Sequence, residues 1–322
     1  MTKKSFKIVF MGTPDFAVPS LRMLIENGYD VAAAITQPDR KAGRGHKLMP
    51  PPVKVLAEEA GVPVYQFEKV CTSDGLALVK DMAPDLIVTA AFGQILTQEM
   101  LDIPKLGCIN VHASLLPKLR GAAPIQWAII TGEEKTGITT MCMALALDAG
   151  DILEQDEIAI TDTTTAGQLY DTLSALGGKT LLRTLEKLAA GTLLRTPQNE
   201  EEATYFPMFK KGFGQVDFDK TTREIDLFVR GTNPAPGAYV LYNGEKIKLF
   251  AVEKMNTAEY GAVKNGTVVF ADEKNGLGIK AADGVLVVKE MQRQGAKRMS
   301  AQDSLRGKKI ECGYVFMSGE KA

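Results

Sequence analysis

The rhythm of the chain changes at about residue 195. Before that point, short apolar runs alternate with segments of helical period. KIVFM (7–11), DVAAAIT (30–36), VPVYQ (62–66), DLIVTAAF (85–92), CINVHA (108–113) and TTMCMALAL (139–147) are of strand length. Between them lie AVPSLRMLIEN (17–27), VKVLAEEAG (53–61), GLALVKDMA (75–83), QEMLDI (98–103) and PIQWAIITG (124–132), all of helical character. Continuous apolar strands alternating with helices predict a mainly parallel α/β sheet covered on both faces. Residues 164–191 carry the most sustained helical period and predict one long helix or two shorter ones.

The next stretch, TPQNEEEATYFPMFKKGFG (196–214), is polar and acidic, holds two prolines and keeps no period, so it reads as a linker. EIDLFVRGT (224–232) predicts a helix. After it, GAYVLYN, KIKLFAVEK, GTVVFADE, GLGIKAAD and GVLVVKEMQ follow one another with only turn residues between. Such spacing predicts a small β-barrel. Three parts are therefore expected: an N-terminal α/β domain over 1–195, a linker over 196–214 and a C-terminal β domain over 215–322. A chain of 322 residues is long enough for two cores.

No run approaches the roughly 18 apolar residues that span a bilayer, and the first residues lack the apolar core of a signal peptide. The four cysteines (Cys71, Cys108, Cys142, Cys312) show neither metal-ligand nor disulfide spacing. No metal site and a cytoplasmic location are expected. The formal net charge of −1 hides a division: residues 208–322 carry +5 and the rest −6. Such asymmetry fits a second half that meets a polyanion, and equally a chance surface imbalance.

The candidate chemistry begins in 107-GCINVHASLLPKLRGAAPIQW-127. In a strand, Asn110 and His112 share one face, immediately before a loop rich in Pro, Arg and Gly. An amide N–H can stabilise a developing oxyanion, and an imidazole can move a proton near neutral pH. A lone His in a strand is usually a satisfied structural group; the Asn two residues earlier and the loop that follows favour function here. Only one other histidine, His46, exists. Asp148, in 147-LDAGD-151, is the candidate orienting carboxylate, on the expectation that neighbouring parallel strands end on one edge of the sheet. Ser114, Leu115, Leu116 and Pro117 offer apolar side chains and backbone N–H groups, suited to a flat, partly apolar ring. GTPDF (12–16) holds one glycine where a dinucleotide fingerprint needs three, which counts against a nicotinamide or flavin cofactor. The segment 36-TQPDRKAGRGHKLMPPPVK-54 carries five basic residues against one acid, and 289–309 carries seven against two. Both are ordinarily solvated surface, but together they suit contacts to a phosphate backbone.

The motifs GTPDF, TQPDRKAGRG, INVHASLLPKLRGAAPIQ, LDAGDIL and AQDSLRGKKIECG closely resemble the methionyl-tRNA formyltransferase family along essentially the whole chain. NVH, SLLP and a later LDxGD are shared with the wider formyltransferase superfamily, whereas the TQPDR loop and the C-terminal domain are more specific. The resemblance implies a Rossmann-like N-terminal domain and an OB-like C-terminal barrel. It implies Asn110, His112 and Asp148 as catalytic residues, and Ser114 to Pro117 as lining for the folate. It further implies tRNA contacts from Arg40, Lys41, Arg44, Lys47, Lys210, Lys211 and Arg306. The donor would be 10-formyltetrahydrofolate and the acceptor the free α-amino group of methionine on initiator tRNA, used in translation initiation. A monomer that meets no membrane is expected. Leu119, Met208 and Ala235 depart from the family's usual residues. Two other functions stay open on the residues: a formyltransferase for a small amine, such as a purine nucleotide or an amino sugar, and a non-catalytic RNA-binding protein on the same scaffold. The first has no evident need of the basic loop, and the second no need of an intact Asn, His and Asp.

Overall fold

The computed structural model describes residues 4–42, 47–257 and 259–318. Arg44 and His46 lie outside the described residues. Contacts divide the chain into two units: Met1–Pro124 with Lys135–Ala159 and Tyr170–Phe206, and Ile125–Glu134 with Ile160–Leu169 and Pro207–Ala322. The stretch read as a linker is thus shared, belonging to the first unit through Phe206 and to the second from Pro207.

The chain runs β1 (Lys4–Gly12), α1 (Val18–Glu26), β2 (Tyr29–Thr36), β3 (Arg40–Ala42), β4 (Lys47–Met49), α2 (Pro52–Glu59), β5 (Val64–Gln66), α3 (Ser73–Met82) and β6 (Leu86–Ala90). Then come α4 (Gln98–Leu101), β7 (Cys108–His112), β8 (Arg120–Gly121), α5 (Pro124–Ile130), β9 (Lys135–Cys142), β10 (Ile152–Ala159), α6 (Ala166–Ala189) and β11 (Tyr205–Phe206). The main sheet of the first unit has the order β10-β9-β7-β6-β1-β2-β5. Its five strands from β7 to β5 are parallel, and Ile8–Met11 and Leu86–Val88 are wholly buried, as continuous apolar runs require. At the other edge β9 runs antiparallel to β7, and β10 antiparallel to β9. The predicted long helix is the single α6. Its Gly177 lets it close on the sheet, since a Cβ there would stand 3.0 Å from Val111 Cγ1.

Two features of the first unit were not expected. LEQDEIA forms the edge strand β10, with burial alternating along it. The basic segment is not a plain loop: β3 and β4 pair as an antiparallel hairpin. Behind the hairpin, Lys54 and Gln66 both hydrogen-bond Asp39, so one of the five basic residues is tied down. The Gln66 amide, then Lys54, hold the Asp39 carboxyl below the usual carboxylate range.

The second unit holds α7 (Thr222–Gly231), β12 (Tyr239–Tyr242), β13 (Glu245–Met255), β14 (Val268–Asp272), β15 (Gly276–Ala281), β16 (Gly284–Arg293), β17 (Met299–Ser300) and α8 (Ala301–Gly307). The expected barrel is a curled antiparallel sheet, a half-barrel, of order β12-β13-β16-β15-β14 with β17 on β16. Irregular chain covers its two free edges, because an uncovered edge leaves backbone groups unpaired. Gln215 bridges Tyr239 on β12, and Val315 bridges Thr267 beside β14. Gln215 Nε2 then donates to Met317 O, joining the two covers. Val216, Phe218, Ile225, Leu249, Ile279, Val288, Leu305 and Phe316 belong to the core enclosed by this curl. Helix α7 opens on a capping box of Thr221 and Glu224.

Candidate active site

In the sheet order, β1 has β2 on one side and β6 on the other, so the direction of the connections reverses between β1 and β6. Ligands of open α/β sheets bind beyond the carboxyl ends of the strands at such a point. The polar groups there are linked: the Thr13 hydroxyl and Gln37 Nε2 both donate to Phe92 O, at 3.3 and 3.1 Å. The next strand on that side is β7, whose last residue is His112.

Asn110 and His112 share a face of β7 by the twofold period of a strand. Thr89 Oγ1, on β6, donates to Asn110 Oδ1 at 2.9 Å. The contact holds the amide with its oxygen toward the hydroxyl, Thr89 acting as the donor. The NH2 group faces the other way, and among the described residues it has no hydrogen-bond partner. His112 is 7% exposed. Its Nε2 lies 3.2 Å from Leu119 O. A carbonyl only accepts, so Nε2 donates. Nδ1 faces Asp148, whose Oδ2 stands 3.8 Å away.

Asp148 reaches the imidazole by a route other than the expected one. Because β9 is antiparallel to β7, its end at Cys142 pairs with Ile109, near the start of β7 rather than beside His112. The loop Met143–Asp151 carries the carboxylate back along the sheet to the histidine. Asp148 sits there with φ +50°, in the left-handed region, where Asp is tolerated better than most residues. The backbone N–H of Gly121 donates to Asp148 Oδ2 at 2.8 Å.

SLLP, expected to line a ring-binding site, is itself tightly held. The Ser114 hydroxyl donates to Lys118 O at 2.7 Å, and the Leu116 N–H to Thr139 Oγ1 at 3.1 Å. Gln155 Nε2 caps Leu116 O at 2.9 Å. Ser114 and Leu116 are buried, while Leu115 and Pro117 are partly exposed. Of this segment, the latter two remain available to a ligand. Leu119, where the family usually has an aromatic residue, is buried and holds His112 through its carbonyl.

The expected nucleic-acid contacts fall into two groups. Lys41, Lys47, Lys210 and Lys211 are exposed. Arg40 is exposed too, but its guanidinium is paired with Glu68 at 2.5 Å. Arg306 lies in α8 between Asp303 at 3.0 Å and Glu273 at 3.3 Å. The structure brings these two arginines to carboxylates, which an anion would have to displace.

A second set of groups behind the carboxylate was not anticipated. Arg120 is fully buried and makes five side-chain hydrogen bonds, to Gln198, Glu200 and Tyr205. Hydrogen bonding to Glu200, against burial, raises its pKa above the ordinary value, and Arg120 in turn holds the Glu200 carboxyl low. The one available signal was an arginine inside the otherwise apolar and Gly-rich LRGAAP. Among the described residues no cluster of His, Cys, Asp and Glu could hold a metal ion, and no helix is long and apolar enough to cross a membrane.

The family described as formyl transferase matches residues 6–185, and its C-terminal domain matches residues 208–309. The chain belongs to the formyl transferase family. Within it, the chain is 47% identical to the methionyl-tRNA formyltransferase of Ruminiclostridium cellulolyticum over 310 residues, which is 95% of this chain and 98% of that protein. It is 49% identical to the enzyme of that name from Geobacter metallireducens (95% and 97% covered), and 48% to that from Bacillus subtilis (96% and 97%). Among solved structures, the N-formyltransferase of Helicobacter canadensis, in complex with folinic acid and dTDP-3-aminofucose, superposes with a TM-score of 0.63 at 19% identity, covering 91% of this chain and 99% of that one. HypX of Aquifex aeolicus in complex with tetrahydrofolic acid gives 0.60 at 19%, covering 94% and 47%. At such identities these two likenesses speak for the fold alone.

Proposed function

We infer that this chain transfers the formyl group of 10-formyltetrahydrofolate to the α-amino group of methionine on initiator tRNA. The observation that carries the chemistry is the amide of Asn110, aimed by Thr89 and unpartnered at its nitrogen, at a strand end beside a His–Asp pair. The likeness to methionyl-tRNA formyltransferases, at nearly half identity over almost the full chain, carries the choice of acceptor.

The amine nitrogen attacks the formyl carbon, and negative charge builds on the formyl oxygen. Asn110 Nδ2 donates to that oxygen, a contact worth more in the transition state than before it. The C–N bond to the carrier then breaks. One proton leaves the amine and one arrives on the departing folate nitrogen, so no net proton is consumed. His112, entering the step as the imidazolium, gives its Nε2 proton to the departing folate nitrogen and then takes on Nε2 the proton that the amine sheds. The 3.2 Å contact of Nε2 to Leu119 O, at the long end for N–H···O, is the one that yields. Asp148, whose Oδ2 stands 3.8 Å from Nδ1, orients the ring. Leu115 and Pro117 give the partly apolar wall for the folate ring; Lys41 and Lys47 in the first unit, and separately Lys210 and Lys211 in the second, offer cations to tRNA phosphates. The protein acts as a monomer in the cytoplasm.

A formyltransferase for small amines would use the same three residues. The two are separated by incubating purified protein with radiolabelled 10-formyltetrahydrofolate and, in parallel, Met-tRNA, a purine-pathway amine and an amino sugar nucleotide. Label on Met-tRNA alone is expected. Label on a small amine, with none on Met-tRNA, overturns the reading.

A further inference from the structure

The segment 196–206, read from sequence as a linker, is built into the site. Thr196 pairs with Ile152 at the start of β10, through hydrogen bonds of 2.8 and 2.9 Å. β11 (Tyr205–Phe206) pairs in parallel with β8 (Arg120–Gly121). Between these anchors, Gln198 reaches Asp148. Its Nε2 donates to Asp148 O at 2.8 Å and to Gly150 O at 2.7 Å, gripping both sides of the tight turn. The orientation of its amide is not free, because Oε1 accepts from Arg120 Nε at 3.0 Å and Nη2 at 2.8 Å. Arg120 is fixed in turn by the Glu200 carboxylate, at 2.7 and 2.9 Å, and by the Tyr205 hydroxyl.

The backbone beside Arg120 completes the arrangement. Leu119, just before it, presents the carbonyl that meets His112, and Gly121, just after it, presents the N–H that meets Asp148. Thr204 holds this tripeptide from outside: its hydroxyl accepts from the Leu119 N–H and its carbonyl from the Arg120 N–H, both at 2.8 Å. Gly121 is obligatory here, since φ is +97° and a Cβ would lie 2.5 Å from Phe206 O.

We propose that Gln198 is a positioning residue for the reaction, setting the alignment of the Asp148 carboxylate on His112 through a clamp made by Arg120, Glu200 and Tyr205. The inference rests on the functional reading above and deepens it. Left-handed backbone at a non-glycine residue persists only where its surroundings over-determine it, and Gln198 supplies two of the hydrogen bonds that do so. Without its donors the turn relaxes and carries Asp148 away from the ring without touching either substrate.

Two variants test this with the full-length protein. Gln198→Met keeps side-chain length but neither donates nor accepts a strong hydrogen bond. Gln198→Glu keeps the oxygen that faces Arg120 but puts a second carboxylate oxygen, which repels the Asp148 and Gly150 carbonyls, in place of the N–H donors. For both, kcat is expected to fall about 10- to 100-fold, as for other residues that orient a reacting group from behind. KM for Met-tRNA and for the folate donor should stay within about twofold, because only the reacting geometry changes. Circular dichroism should show both variants folded. Crystals of Gln198→Met should show Asp148 out of the left-handed region and more than the present 3.8 Å from His112. Wild-type kcat in Gln198→Glu, or unmoved Asp148 in Gln198→Met, overturns the proposal. A rise in KM matching the fall in kcat/KM does so too. If the wild type formylates no Met-tRNA, the functional reading fails instead, and the crystallographic comparison still decides the positioning role.

Discussion

At the residue scale the proposed mechanism divides its labour between one oriented donor and one supported proton carrier. Replacing His112 with Ala should lower kcat by roughly 10²–10⁴, the usual worth of general acid–base help, with tRNA affinity nearly unchanged. Asp148→Ala should also lower kcat with little effect on tRNA binding, and the effect should be smaller, since the ring keeps its hydrogen bond to Leu119. Single-turnover assays beside filter binding would check both; turnover near wild type in either variant removes that residue from the mechanism. Asn110 and His112 could be read together because a strand places alternate residues on one face, a local rule. Asp148 was placed near them on the wrong ground: adjacent parallel strands were expected, yet β9 is antiparallel and a nine-residue loop makes the return. Gln198 and Arg120 could not be paired from sequence at all. Their hydrogen bonds span 78 positions and depend on burial, which no spacing announces.

At the element scale, the parallel strands and their covering helices were legible because each is a buried apolar run or an amphipathic period. The edge strand β10 was not, since the face it turns to α6 carries Glu154 and Asp156, which pair there with Arg183 and Lys187. Helix α8 was hidden for a similar reason: AQDSLRG reads as basic tail until Ser300 is seen to cap it. The half-barrel offers an element-level test. Asp283 joins three elements, accepting from the Thr222 N–H at the start of α7 and from Lys254 on β13, beside its own turn before β16. Burial opposes the charge, but the Lys254 and Thr222 hydrogen bonds prevail and hold its carboxyl at about 2. A lowered folded-state pKa means stability that is present above the unfolded value of about 3.9 and lost as pH falls through the folded one. The stability gap between wild type and Asp283→Asn should therefore be constant near neutrality and close as the pH falls from about 4 to about 2. Urea titrations across that range would show it. An equal gap at both ends would mean that the carboxylate's charge is irrelevant.

At the scale of the whole molecule, two cores are joined by a chain whose charge is unevenly shared, +5 over residues 208–322 and −6 over the rest. The asymmetry was visible by counting; what it could not show is that some cations are already engaged. Of the hairpin's basic residues, Arg40 has a carboxylate partner, while Lys41 and Lys47 stand exposed. Changing Arg40, Lys41 and Lys47 together to Ala should weaken tRNA binding. It should also flatten the dependence of log K on log salt, by roughly 0.7–0.9 for each phosphate that the hairpin no longer neutralises. Binding measured at several salt concentrations decides it, and an unaltered slope excludes the hairpin from the phosphate-binding surface.

The buried guanidinium of Arg120 has a consequence for the order in which the protein is made. Asp148 leaves the ribosome some fifty residues before Gln198. The nascent chain therefore carries its imidazole and carboxylate for a time without Gln198, the side chain proposed to align them. The contacts of Arg120 can be complete only once the residues up to Tyr205 have been made.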